Sequence, residues 1–103
     1  MARGHARKTS TRGVEELAGA LRTALLAEGC QEIRESRDGR EHRFVTRRSA
    51  LAWELDGVAS VAPDGDGSLL TVTLTGRADS PGARLDGWKT RRAAERLART
   101  MLG

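Results

Sequence analysis

The sequence predicts an α+β domain in which two helices pack on one face of an antiparallel sheet of three to four strands. Three observations carry this reading. Val14, Leu17, Ala18, Leu21, Ala24 and Leu25 recur at three- and four-residue spacing, the period of a half-buried helix. Asp38-Gly39, a pair in which both residues tolerate positive φ, lies between two short stretches suited to a hairpin. Leu70, Val72 and Leu74 alternate as a half-buried strand does, and the chain then closes on a second helical stripe of Ala94, Leu97, Ala98 and Met101. A chain of 103 residues suffices for one core and not two. We therefore expect a single domain over 13–103 behind a basic arm of residues 1–12.

The arm, M-A-R-G-H-A-R-K-T-S-T-R, is small, polar and cationic, with no large apolar residue after Met1 and no apolar periodicity, and is expected to be disordered. Thr11 is placed to cap the first helix, which should run to about Glu28. Gly29 then stands where a left-handed C-terminal residue is wanted, and Cys30 where a small apolar group packs back on the last turn. A lone cysteine forms no internal disulfide, so core packing is its expected role. Strands are expected near 31–36 and 41–47. Apart from Ile33, Phe44 and Val45 they are mostly charged or polar, so one of their faces should be open to solvent or a ligand.

Ser49 to Asp56 admits two readings. Leu51, Trp53 and Leu55 alternate like a strand, while Ser49 could cap a short helix; the short helix or turn-rich insertion is preferred, with Trp53 as a core anchor. Strands at 58–62 and 69–75 should meet across P-D-G-D-G-S. Asp64 and Asp66 lack the twelve-residue pattern of a calcium loop and are read as turn residues. Gly76 to Gly82 is a loop broken by Ser80-Pro81-Gly82, and Asp86 can cap a last helix reaching Leu102.

Charge is more informative by location than by its total of +4. Arg3, Arg7, Lys8 and Arg12 are unopposed by any acid in the first twelve residues. The last helix sets Lys89, Arg92, Arg96 and Arg99 at spacings of three, four and three, which places four cations on one face. Positive ends around a more acidic middle favour a polyanionic partner. The chemistry needed for other classes is missing: one Cys and two distant His give no zinc-ligand spacing, and the glycines lie in turns and not in a phosphate-cradling loop. No cofactor or metal is expected. No apolar run approaches the roughly 20 residues needed to cross a bilayer, and the N-terminus has no hydrophobic centre, so no membrane partner and a cytoplasmic location are expected.

The order helix, hairpin, further strand, helix resembles the double-stranded-RNA-binding fold. In that family basic residues at the start of the last helix grip phosphates across the RNA major groove, which implies that role for Lys89, Arg91 and Arg92, ahead of A-A-E-R-L-A with an acid at Glu95. A narrower resemblance covers about two thirds of the chain. Gly29-Cys30, Ile33-Arg34, G-R-E-H-R-F from Gly39 to Phe44, and Thr71-Val72-Thr73 follow the order found in the HicA-type mRNA interferases, with Arg47 to Gly67 as an insertion. Arg40 stands in place of that family's serine and Glu41 in place of its catalytic histidine, which leaves the neighbouring His42 as the candidate catalytic residue. An imidazole can move a proton from a ribose hydroxyl; an ionised Glu41 facing phosphate would be repelled by its target. In an alternating strand Glu41 and His42 also point to opposite faces, so only one can address a given site.

The expectation is a nucleic-acid-binding protein, with RNA favoured over DNA. It would hold phosphates through Lys89, Arg91, Arg92, Arg96 and Arg99, the hairpin residues Arg37, Arg40 and Arg43, and the arm. One alternative is a HicA-like toxin ribonuclease paired with an antitoxin. Another is a phage or mobile-element module that binds a protein partner.

Overall fold

A computed structural model describes residues 3–47, 54–76 and 87–102, with side chains in the last segment described from Thr90 onward. The order is β1 (Arg3–Ser10), α1 (Val14–Ala27), β2 (Gln31–Glu35), β3 (Glu41–Val45), β4 (Leu55–Asp64), β5 (Gly67–Gly76) and α2 (Gly87–Leu102). The strands form one antiparallel five-stranded sheet in the order β1-β5-β4-β3-β2. The architecture is α+β with two helices, as expected, but the sheet is larger than the three to four strands expected. The chain also begins with a strand and not with the first helix of the double-stranded-RNA-binding order.

The extra strand is the segment expected to be a disordered arm. Arg3 to Ser10 pairs with Thr75 to Ser68 along its whole length. Its alternation is hard to see because the inward members, Gly4 and Ala6, are small; both are buried while Arg3, His5 and Arg7 are exposed. A Cβ on Gly4 would collide with the backbone of Thr90 and Arg91, so this glycine lets α2 settle directly onto β1. Beyond β1, Ser68 Oγ donates to Arg12 O at 2.8 Å and fixes the path into α1.

Helix α1 starts at an N-cap of Gly13 without a side-chain cap, so Thr11 does not take that place. Its end is as expected. Gly29 has φ 78°, its N–H donates to Leu26 O, and Cys30 N–H donates to Leu25 O, each at 3.0 Å, the paired bonds of a Schellman cap. The β2–β3 hairpin is wider than a two-residue turn. Ser36 N–H donates to Glu41 O at 2.8 Å, so four residues, Arg37 to Arg40, form the loop, with Gly39 at φ 73°. The turn from β4 to β5 is tight: Asp64 opposes Gly67, and Gly65 takes φ 57° at its first position.

The expected insertion is in part the centre of the sheet. Strand β4 begins at Leu55 and lies between β3 and β5, so Leu55 and Asp56 are strand and not helix or turn; residues 48–53, including Trp53, lie outside the described residues. One sheet face carries the core: Ala6 on β1, Leu70, Val72 and Leu74 on β5, Leu55, Ala59 and Val61 on β4, and Phe44 on β3. Over it α2 packs on β1 and β5, and α1 crosses β4 and β5. Leu17, Leu21, Leu25, Ala94, Leu97, Ala98 and Met101 close the core from the helix side. Phe44 pairs with Gly57, where a Cβ would run into the ring, so the glycine makes room for the aromatic side chain. No described helix is long and apolar enough to cross a membrane.

Candidate nucleic-acid interface

Helix α2 separates its residues cleanly. Thr90, Ala94, Leu97, Ala98 and Met101 are buried, and Arg91, Arg92, Arg96 and Arg99 are exposed. The helical period produces the split: Arg92, Arg96 and Arg99 fall within one stripe, and Arg91 flanks it across Glu95. At a rise of about 1.5 Å per residue, Arg92 to Arg99 spans roughly 10 Å of axis, long enough to meet more than one phosphate. The Lys89 side chain lies outside the described residues.

The hairpin cations lie elsewhere. Arg37 and Arg43 are exposed and Arg40 is half-buried, on a loop held by its own polar groups. Ser36 Oγ donates to Asp38 Oδ1 at 2.7 Å, and Asp38 Oδ1 accepts from Arg40 N–H at 3.0 Å. The Arg40 backbone N–H, with the Ser36 hydroxyl second, lowers the Asp38 pKa below its ordinary value. Arg43 Nε lies 3.6 Å from Glu41 Oε2. The β2–β3 hairpin forms one edge of the sheet, whereas α2 rests over the opposite edge. Strands β1 and β3 are three steps apart, about 14 Å at 4.8 Å per step. The expected helix and hairpin arginines therefore do not form one continuous patch.

His42 is placed differently from the arginines around it. It points to the helix side of the sheet and is fully buried, with Ala59 and Glu35 as its cross-strand neighbours. Glu41 and Arg43 project to the other face, as strand alternation requires. Nε2 comes within 3.1 Å of Glu35 Oε1, but neither ring nitrogen makes an aligned hydrogen bond. The distance alone suggests a bond. The misalignment carries more weight, because hydrogen bonds weaken steeply away from linearity. Cys30 is buried too, and burial, with Glu28 second, pushes its thiol up to about 11.

Arg3 and Arg7 of the expected phosphate-binding arm, Arg43 of the hairpin, and Arg34, which carries no expected role, lie on the face of the sheet away from both helices. Paired rows place His5, Thr73, Val58, Arg43 and Arg34 side by side, with Arg7, Thr71, Ser60 and Glu41 in the next row and Arg3, Thr75 and Asp56 on the other side. Arg3 and Arg7 belong to an ordered strand and not to a flexible arm. The available signal was the alternation of cations with Gly4 and Ala6 in R-G-H-A-R.

No protein-family model and no curated protein matches the chain. Among solved structures, the chain is similar to DR_A0006 from Deinococcus radiodurans, at 16% identity and a TM-score of 0.50, with 99% of this chain and 98% of that one covered. The crystal structure of Ara h 8.0201 aligns at 10% identity and a TM-score of 0.48, covering 98% of this chain and 95% of that one. The first likeness concerns the fold alone.

Proposed function

We propose that the protein binds nucleic acid, RNA in preference to DNA, by tracking phosphates with the outward face of α2. The observation that carries this reading is the division of that helix: its apolar side is spent on the core, while Arg91, Arg92, Arg96 and Arg99 all face solvent. Guanidinium groups suit the task because each offers several donors in a planar fork that matches phosphate oxygens. Base stacking is a minor contribution on this reading, since the sequence holds only Phe44, Trp53 and Trp88 as aromatics and Phe44 is buried in the core. Weak sequence preference and strong salt dependence follow.

A ribonuclease needs an imidazole open to a ribose hydroxyl, and His42 is buried on the face away from Arg43. The interface is therefore read as a binding surface and not as a cutting one. The test is a mobility shift with duplex RNA and duplex DNA. Three or four phosphate contacts give a slope near −0.9 per contact, so affinity should fall roughly 40- to 150-fold between 50 and 200 mM salt. Failure to shift either duplex at low salt would overturn the proposal.

A further inference from the structure

Among the described residues, both helices pack on one side of the sheet. The helices occupy the face of Ala6, Val72, Ala59 and His42, and the opposite face is a broad surface of strand residues. Its composition differs from that of an ordinary solvated sheet face. Arg3 and Arg7 stand in a column on β1, and Arg43 and Arg34 stand side by side on β3 and β2. Between these cations lie Thr71, Thr73, Thr75 and Ser60, whose hydroxyls can donate or accept, together with Val58. The acids in these rows are Glu41, which already contacts Arg43, and Asp56. Arg34 and Arg43 are directly opposed across the ladder, and the Glu41 carboxylate beside Arg43 offsets part of the repulsion between them.

The spacing suits a duplex. The columns are three to four strand steps apart, about 14 to 19 Å, and Arg3 and Arg7 are about 13 Å apart along β1. The wide minor groove of A-form RNA can present its two phosphate rims to these arginines while the hydroxyls face the groove. The 2′-hydroxyls lining that shallow groove can exchange hydrogen bonds with these threonines and Ser60.

We infer that this opposite face is a second duplex-binding surface, back to back with α2, and that one molecule thereby bridges two duplex segments. The inference rests on the reading of α2 as a phosphate-binding helix. The two arginine sets point in opposite directions because α2 packs on the other side of the same sheet. The shorter extents of the molecule are 23 and 20 Å, so the protein body stands between the two faces. Two duplexes can therefore lie on opposite sides without touching.

The experiment immobilises one 25-base-pair duplex RNA and measures capture of a second, labelled duplex by the full-length protein. Two variants are compared, R3Q/R7Q/R34Q/R43Q for the sheet face and R91Q/R96Q/R99Q for the helix. R3Q/R7Q and R34Q/R43Q serve as milder versions, and thermal melts verify folding of each. Wild-type protein should capture the second duplex. The sheet variant should still shift a single duplex but lose capture at least tenfold, and each milder version should lose part of it. Capture retained by the folded sheet variant, or by both milder versions, overturns the inference. So does a wild-type protein that shifts one duplex and captures none. If wild-type protein shifts no duplex at all, the reading of α2 fails first and the bridging inference fails with it.

Discussion

At the scale of single residues, His42 is the position where expectation and structure diverge most, and the reason is local. The run E-H-R-F alternates, so His42 shares its face with Phe44 two residues on, and Phe44 is the only aromatic on that strand. That rule already placed the histidine in the core; the family-like frame around it drew attention to chemistry. Its ring nitrogens lack aligned partners, so a same-face apolar replacement removes a desolvation cost. His42→Leu is expected to leave the thermal midpoint unchanged or raise it by a few degrees, about 1 kcal/mol, read by circular dichroism. A midpoint many degrees lower would mean that the imidazole holds structure together. Cys30 offers a chemical readout. A thiol near 11 against an ordinary value of 9.0 holds about 100-fold less thiolate at pH 8, so disulfide reagents should react about that much more slowly in the folded than in the unfolded protein. The linkage runs the same way: the raised pKa favours the protonated native form, so this contribution is present below pH 9 and is lost as pH rises toward 11.

Among the elements, the ends that depend on glycine were the most legible. Gly29 and Gly39 both take positive φ where the sequence placed a helix stop and a turn. Gly29→Ala should cost about 1–2 kcal/mol in chemical denaturation, since an alanine in the left-handed region is strained, and a Cβ would also come 3.1 Å from the Arg47 side chain. Gly57 is a different case, with an allowed backbone and no room. Gly57→Ala should cost about 1–3 kcal/mol by displacing the Phe44 ring. Strand β1 was the least legible element. A strand whose inward residues are glycine and alanine gives no hydrophobic signal, because it contributes little apolar area and much backbone pairing. Deleting residues 1–10 therefore tests the placement. A disordered arm could be removed without effect, whereas loss of β1 strips the hydrogen-bonding edge from β5 and the support from under α2, and should abolish the cooperative melt. Strand β4 was legible over 58–62, and only its start was hidden: Leu55 adjoins a segment whose capping serine competed with its alternation.

For the whole molecule, the sequence conveyed the class of architecture and the polarity of α2 but not which cations share a surface. Strand order decides that, and no local pattern specifies that the first strand lies beside the fifth. The consequence is that Arg3 and Arg7 belong with Arg34 and Arg43, and the hairpin does not belong with α2. The two basic surfaces should also differ in their response to substitution. Each arginine lost from α2 should reduce the salt slope of single-duplex binding by about 0.9, without a change in thermal midpoint.

The pairing of Arg3 with Thr75 also sets an order in time. On the ribosome the first strand is made before its partner, which follows some sixty-five residues later, about 3 to 13 s at ordinary elongation rates. During that interval the segment has no ladder to join, and the support for α2 is not yet built. The chain can form α1 and the β2–β3 hairpin early, from contacts close in sequence, and must close the sheet from both ends last. A stall or cleavage before residue 76 would leave the cationic first strand unpaired, open to whatever polyanion is nearest.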